Sequence, residues 1–375
     1  MSQVIYSLLL FAVFALAYAN GSNDISKGIA TLVGSGVSDY RKAILWGTGW
    51  TVAGALLAAW FSKAMVLTFS KGIIDPRFHV SDQFLVAALI GAVGWVWFAS
   101  KKGLPVSTTH AITGALCGAA VVASGWQGIL WTSVFQKIVI PLLVSPLVAF
   151  VAMGVFFPFL RVLLAPLSRA CACADLQPLQ SVASLPGGGF YTSGTASQFR
   201  LVVNHVEACQ TRGTVFFGIK GDDLLHWVSS GLTSFARGLN DTPKIVALGL
   251  PLVLISKSDP AWLFVWGALG VGLGSLVAGT RVTETLAEKI TKMSAVEGLS
   301  ANLITSFLVT VASRWGIPVS TTHVSSGAII GLGLHRCHGE VRWATMVSMV
   351  RAWIITLPAG AGLAAASLWA IQKIL

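Results

Sequence analysis

Two copies of the hexapeptide Pro-Val-Ser-Thr-Thr-His, beginning at Pro105 and Pro318, each open an apolar stretch that is rich in glycine. Proline suits the first turn of a helix, and the hydroxyls that follow it lie beside backbone N–H groups without helical partners. A helix N-terminus carries partial positive charge, so two facing N-termini would surround a tetrahedral oxyanion. The alternative to an anion site is that the Ser and Thr hydroxyls only cap helices that pack tightly in the membrane. The candidate anion-binding residues are Ser107, Thr108, Thr109, Ser320, Thr321 and Thr322.

An Asn-Asp dipeptide also occurs twice, each time inside an apolar segment and two positions after a glycine. An aspartate within such a segment is costly in lipid, so it normally faces a cavity and has a function. The glycine allows local unwinding, which would free backbone carbonyls beside the carboxylate and the carboxamide. These are hard oxygen ligands for a small cation such as sodium, or a site for a proton; a helix N-cap is the alternative. The candidates are Asn23, Asp24, Asn240 and Asp241.

A histidine, His110 or His323, directly follows each Ser-Thr-Thr triplet. Either side chain could relay protons or could donate a structural hydrogen bond that fixes the loop, and the sequence does not separate these roles. A nucleophile and base formed by Ser107 and His110 would lack a neighbouring acid to orient the histidine. It would also leave the duplication unexplained. We therefore expect a protein that is not an enzyme and that has no resident cofactor.

The composition indicates a membrane protein. Hydrophobic residues make up 55% of the 375 residues and charged residues only 10%. Several apolar stretches exceed the roughly 20 residues that span a bilayer. The net charge of +11 is scattered through the loops, which fits an excess of Lys and Arg on the cytoplasmic side and not a nucleic-acid-binding patch. The expected fold is an all-α polytopic membrane protein.

The chain is an internal duplication. The Asn-Asp pairs lie 217 positions apart and the hexapeptides 213, and a tryptophan followed fifteen residues later by a proline recurs after 212. Between the copies lies a segment rich in Ser, Gly and Pro. We therefore divide the chain into a first membrane repeat at 1–165, a polar, partly flexible linker at 166–222, and a second membrane repeat at 223–375.

Each repeat contains about five apolar segments. If each of them crosses once, the second repeat enters the membrane from the opposite side and the two repeats are inverted. Glycine-interrupted segments at matching positions of inverted repeats indicate broken helices, re-entrant hairpins and a transport site near the bilayer midplane. The segments are 3–35, 43–69, 83–100, 104–124 and 129–165 in the first repeat, and 224–254, 261–282, 299–315, 317–335 and 343–372 in the second.

Loop charge predicts the orientation. With the N-terminus outside, a set of basic residues falls on the cytoplasmic side, as the positive-inside rule requires. We expect a multi-pass protein of the plasma membrane with both termini outside and a cytoplasmic linker. The basic residues are Arg41, Lys42, Lys101, Lys102, Arg161 and Arg169.

These motifs resemble the PiT family of inorganic phosphate transporters, whose halves each carry a G-A-N-D-V-A-N-type signature and a G-[LI]-P-V-S-T-T-H segment. The stretch 281–299 also looks like the family's sequence there. The resemblance covers nearly the whole chain except the linker. It implies a homodimeric symporter of phosphate, driven by a sodium or proton gradient. It further implies that Asp24, Asp241 and the two Ser-Thr-Thr triplets hold phosphate and coupling cations.

The chain departs from that signature at two lysines. Lys27 and Lys244 each stand three residues after an aspartate, where the family has asparagine. Residues at i and i+3 share a helix face, so each lysine could pair with its Asp. We hypothesise that the ammonium groups replace one or more sodium ions and shift the coupling toward protons. The alternative is that both lysines extend to the membrane interface. Pro243 predicts that the second helix break is sharper than the first.

Two other functions fit parts of this pattern. Sulfate and arsenate are also tetrahedral oxyanions, but phosphate carries protons at neutral pH that an aspartate can accept, whereas sulfate carries none. An anion channel would need a pore but no coupling site, and the paired acidic residues argue against it. The sequence therefore favours phosphate symport.

Overall fold

The computed structural model describes residues 3–184, 190–206, 215–288, 293–333 and 342–374. Eight helices in these residues are long and apolar enough to cross a membrane, and four belong to each half. Large apolar side chains such as Leu147, Val151 and Phe159 are exposed on the outside. Such a surface suits contact with lipid and is unusual in a soluble protein.

The first half contains eight α-helices in the described residues. Ser81 caps α5 by accepting a hydrogen bond from the backbone N–H of Phe84. The helices are α1 Gln3–Asp24, α2 Ser26–Gly34, α3 Tyr40–Phe61, α4 Lys63–Lys71, α5 Asp82–Lys101, α6 Thr108–Ser124, α7 Trp131–Val134 and α8 Ile140–Leu164.

A π-helical turn, Phe135–Val139, connects α7 to α8, so residues 131–164 form one long span. The sequence left open whether this region crosses once or twice, and the continuous helix favours one crossing.

The second half consists of six helices in the described residues. Ser294 caps α12 with a capping box. Its hydroxyl accepts from the Glu297 backbone N–H, and the Glu297 carboxylate accepts from the Ser294 backbone N–H. The helices are α9 Gly221–Ser256, α10 Ala261–Ala278, α11 Thr280–Glu288, α12 Ala295–Arg314, α13 Thr321–Leu332 and α14 Trp343–Ile374.

The helices of the two halves interleave. α1 packs on α10 as α9 packs on α3, and α6 packs on α14 as α13 packs on α8. Glycine permits the close approaches. A Cβ at Gly114 of α6 would meet the carbonyl oxygen of Leu357, and one at Gly327 of α13 would meet that of Pro146. Each half therefore buries its apolar faces mainly against the other half.

The two hexapeptides adopt the same local structure. Gly103 and Gly316 have φ of +67° and +68°, a left-handed conformation that only glycine adopts without strain. Extended backbone follows, and α6 and α13 then begin at Thr108 and Thr321. These helices have 17 and 12 residues, about 26 and 18 Å at 1.5 Å per residue. Their shortness suits re-entrant segments. The inversion of the repeats depends on whether they cross, and it remains a prediction.

The connecting segment contains a three-stranded antiparallel sheet in the order β2-β1-β3. Its strands are β1 Ala170–Ser184, β2 Phe190–His205 and β3 Val215–Lys220. From its composition we expected a polar, partly flexible linker. The strands are held by backbone hydrogen bonds between distant residues, which composition does not reveal.

The prediction that the second helix break is sharper is wrong. α1 ends at Asp24 and α2 restarts at Ser26, whereas α9 continues through Pro243. Proline cannot donate to the carbonyl four residues earlier, which is that of Leu239. The hydroxyl of Ser62 donates to this carbonyl instead, at 2.9 Å. A side chain from another helix thus supplies the missing donor, and α9 remains intact.

Candidate functional site

Asp24 and Lys27 form a buried ion pair where α1 gives way to α2. The Lys27 Nζ lies 2.5 Å from the Asp24 Oδ1. It also donates to the Asn23 Oδ1 at 2.7 Å and to the Asn23 backbone oxygen at 2.9 Å. The ammonium group therefore has three oxygen acceptors, all from one Asn-Asp dipeptide.

The second half repeats this arrangement with different partners. The Lys244 Nζ lies 3.2 Å from the Asp241 Oδ1 and donates to the Val319 backbone oxygen at 3.0 Å. Its third acceptor is the Thr109 Oγ1 of the other half, at 2.7 Å. Lys244 therefore connects the second Asn-Asp pair to both hexapeptide segments.

Asn20 joins the two aspartates. Its Nδ2 donates to the Asp24 Oδ2 at 2.7 Å, to the Thr108 Oγ1 at 3.1 Å and to the Asp241 Oδ2 at 3.4 Å. The Thr108 hydroxyl also donates to the Asp24 Oδ2 at 3.0 Å. The predicted cation residues and the start of the first hexapeptide helix thus belong to one hydrogen-bonded cluster.

The asparagines attach this cluster to the extended segments. The Asn23 Nδ2 donates to the Leu104 backbone oxygen at 3.0 Å, and its Oδ1 accepts from the Val106 N–H at 3.2 Å. In the second half the Asn240 Nδ2 donates to the Val319 backbone oxygen at 3.1 Å. Each asparagine thus fixes the chain that leads into its Ser-Thr-Thr triplet.

The two triplets approach each other across the halves. Ser107 and Ser320 cap α6 and α13 by accepting from the backbone N–H of the residue three positions later. The Thr322 hydroxyl donates to the Val106 backbone oxygen at 2.8 Å. Thr321 is buried at the start of α13. Two helix N-termini therefore lie next to the aspartates, and the backbone N–H groups of a first helical turn suit an anion.

The whole cluster is closed to solvent. Asp24, Lys27 and Lys244 are each 1% exposed, and Asp241 is 4% exposed. The alternative in which both lysines extend to the membrane interface is therefore wrong. Within a low-dielectric interior, each lysine stabilises its aspartate far more than it would at the surface.

The two histidines lie beside the cluster. Their ring centroids are 4.8 Å apart, and the His323 Nδ1 is 3.0 Å from the Leu142 backbone oxygen. The His110 Nδ1 and the His323 Nε2 have no hydrogen-bond partner in the described part of the chain. Both rings line a mainly apolar cavity of about 330 Å³ that also includes Trp353 and Leu357. The bond to Leu142 favours the structural role for His323.

Two site residues were missed from the sequence. Asn20 and Arg237 each stand four residues before an aspartate of the site, at matching positions of the repeats. Residues at i and i+4 share a helix face, and this spacing could have revealed them. Identity between the repeats does not mark these positions, because the two residues differ.

The comparisons with known proteins identify the family. A family model described as the phosphate transporter family matches residues 20–364. The chain belongs to the phosphate transporter family. It is accordingly a multi-pass membrane transporter and not an enzyme.

Other members of this phosphate transporter family are similar over most of their length. A Pyrococcus abyssi protein named as a phosphate permease is 30% identical over 97% of both chains. The Arabidopsis thaliana chloroplastic inorganic phosphate transporter 2-1 is 28% identical over 99% of this chain and 72% of its own length. A solved structure described as the sodium-dependent phosphate transporter superimposes with a TM-score of 0.77, at 23% identity and full coverage of both chains. It shows that the helical fold is shared.

Proposed function

We propose that this transporter carries inorganic phosphate across the plasma membrane together with a cation, by alternating access around the buried cluster. The observation that carries the proposal is the meeting of both Asn-Asp pairs with both hexapeptide segments. Lys244 contacts Asp241 and Thr109, while Asn20 contacts Asp24, Thr108 and Asp241. A site built from two repeats at one buried point is typical of secondary transporters.

The anion would bind between the two Ser-Thr-Thr triplets. Their hydroxyls and the N–H groups of the first helical turns offer neutral donors, and the lysines add positive charge nearby. A tetrahedral anion with several oxygens can use donors from both sides at once. Bound phosphate would take over donors that now serve protein acceptors, such as the Thr322 hydroxyl on the Val106 carbonyl.

Proton coupling is favoured over sodium coupling. Each ammonium group already occupies a position with three oxygen acceptors, and a sodium ion would need such oxygens for itself. Asp24 and Asp241 remain as groups that can take up a proton. The structural relative is described as sodium-dependent, so sodium is the competing cation, with Asn23, Asp24, Asn240 and Asp241 as its ligands.

The orientation and assembly belong to the same proposal. Basic residues beside the membrane spans support an orientation with both termini outside and the connecting segment in the cytoplasm, under the positive-inside rule. A homodimer is proposed from the family resemblance. Cysteine labelling from either side of the membrane tests the orientation, and crosslinking in native membranes tests the homodimer.

The decisive experiment is uptake of radiolabelled phosphate into proteoliposomes, with sodium and proton gradients imposed separately. We expect saturable uptake that is driven by protons, indifferent to sodium and little affected by unlabelled sulfate. A requirement for sodium would contradict the proposed role of the lysines. Uptake of sulfate in place of phosphate would contradict the substrate, and uptake that needs no gradient and does not saturate would indicate a channel.

A further inference from the structure

Arg237 occupies the position in the second half that Asn20 occupies in the first. Each stands four residues before an aspartate of the site, Asp24 or Asp241, and therefore on the same face of its helix. Asn20 uses its amide to join the two aspartates. Arg237 is 1% exposed, so a fixed positive charge replaces a neutral amide at this buried position.

The guanidinium group of Arg237 is poorly satisfied by the protein. Its Nη2 donates to the Ser275 Oγ at 3.4 Å, whereas its Nε and Nη1 have no hydrogen-bond partner among the residues that the structure describes. It forms no ion pair with a carboxylate in the ranges that the structure describes. A buried, unpaired charge is strongly unfavourable. Such an arrangement indicates that a ligand supplies the missing acceptors.

The surroundings of Arg237 place it beside the site. It stands about one helical turn before Asp241 on α9. The hydroxyl of its partner Ser275 donates to the Gly21 carbonyl at 3.2 Å, next to Asn20 on α1. Arg237 thus reaches from α9 across to α1 and α10, on the same helical faces that carry the two aspartates.

The charges of the buried cluster and of the neighbouring Arg237 do not cancel. Lys27, Lys244 and Arg237 contribute three positive charges, and Asp24 and Asp241 contribute two negative charges. With all five groups ionised, three minus two leaves a net charge of +1. Each carboxylate is already paired with a lysine, so the unbalanced charge is that of Arg237. A singly charged anion would neutralise the cluster without any metal ion.

We propose that Arg237 is an additional anion-binding residue whose guanidinium group donates to bound dihydrogen phosphate through N–H groups that lack a protein acceptor. Its charge takes the place of a metal cation in balancing this anion. The inference rests on the proposed phosphate transport and adds a residue and the charge state of the substrate. The planar guanidinium fork matches two oxygens of a phosphate group, which a lysine ammonium cannot do.

The test measures binding of inorganic phosphate to the purified full-length protein by calorimetry, in buffer whose only cation is N-methylglucamine. We expect the wild type to bind phosphate there and sodium to add little. Arg237→Gln should weaken binding about 30- to 100-fold, because it removes a buried charge-assisted contact. Arg237→Lys should lose only about tenfold in phosphate affinity, since it keeps the positive charge but not the planar guanidinium group. Added sodium should partly restore binding to Arg237→Gln.

Arg161→Gln is the matched control, because Arg161 is an exposed arginine in the last turn of α8. Its phosphate affinity and its melting temperature should equal those of the wild type. Wild-type affinity in Arg237→Gln would overturn the inference, and so would equal losses in Arg237→Gln and Arg237→Lys.

If the Arg237 variants do not fold, the measurement on the wild type still tests the inference. Phosphate binding that requires sodium would overturn the charge assignment, and binding without any metal cation would support it. A wild-type protein that neither binds nor transports phosphate would contradict the proposed function itself. If the wild type transports phosphate and Arg237→Gln binds phosphate with the wild-type affinity, only the inference about Arg237 is contradicted.

Discussion

The two halves of the site use the same residue types but make different connections. In the first half, Lys27 finds all three of its acceptors on Asn23 and Asp24. In the second half, Lys244 finds one on its own aspartate, one on Val319 and one on Thr109 of the opposite repeat. The two Asn-Asp pairs therefore share residue types but not side-chain contacts. The first Asn-Asp pair forms a local unit, while the second connects the halves.

The largest effects should come from the aspartates. Asp24→Asn should reduce phosphate uptake by about 100-fold or more, because it leaves the ammonium of Lys27 buried without its counter-charge, at a cost of about 3–5 kcal/mol. Asp241→Asn should have a similar effect. Initial uptake rates per reconstituted protein give the comparison. Asp39→Asn, at the exposed N-cap of α3, should behave as the wild type, and normal rates in either site variant would rule out the assigned roles.

Substitution of the lysines should distinguish the two halves more clearly than substitution of the aspartates. Lys27→Asn and Lys244→Asn should each lower proton-driven uptake about tenfold and introduce a dependence on sodium, because an oxygen ligand replaces a fixed cation. Lys244→Asn should be the more harmful, since it also breaks the contact with Thr109.

The same proteoliposome assay, with each gradient applied separately, measures both effects. Lys42→Asn is the control, because the Lys42 side chain forms an exposed ion pair with Asp39, and such pairs contribute little. Rates and ion dependence that stay unchanged in both site variants would contradict the replacement of sodium by lysine.

A smaller effect should follow from the threonines that link the halves. Thr322→Val leaves the buried Val106 carbonyl without its donor, which costs about 1–3 kcal/mol, and Thr109→Val removes one acceptor of Lys244. We expect uptake to fall about three- to tenfold in each. Thr132→Val, which alters an exposed threonine of α7 outside the cluster, provides the comparison. Equal rates in all three variants would show that these links do not contribute to transport.

The smallest effect should come from the hydrogen bond that supports α9 at Pro243. Ser62→Ala removes the donor to the Leu239 carbonyl and should lower the free energy of unfolding by about 1–2 kcal/mol. Thermal melting of the detergent-purified protein measures this change. Ser168→Ala, at an exposed serine with a local hydrogen bond, should leave the melting temperature unchanged. A melting temperature that is also unchanged in Ser62→Ala would mean that α9 tolerates Pro243 without this bond.

Sequence alone predicted the helical membrane class and the duplicated residues that meet at the cluster, because both depend on pattern and repetition. Two copies of a buried Asn-Asp pair and of a Ser-Thr-Thr triplet suggest a common site before any coordinates are known. The pairing of Lys27 with Asp24 followed from their spacing on one helix face. These inferences use local periodicity, which the fold preserves.

The features that sequence did not predict depend on contacts between distant residues. The continuity of α9 at Pro243 depends on Ser62, which lies 177 positions from its acceptor Leu239. The sheet at β1 and β2 depends on pairing such as that of Ala170 with His205. Arg237 was missed because comparing the repeats drew attention to identities, whereas its importance lies in a difference from Asn20.

The interleaving of the halves has a consequence for how the molecule can be assembled. Because α6 packs on α14 and α13 packs on α8, neither half encloses its own apolar faces. A gene split within the connecting segment should therefore yield two fragments that are each unstable in the membrane but that form a working carrier when made together. Each repeat thus acts as an obligatory folding partner for the other, and an ancestral single repeat would have had to pair with a second copy of itself.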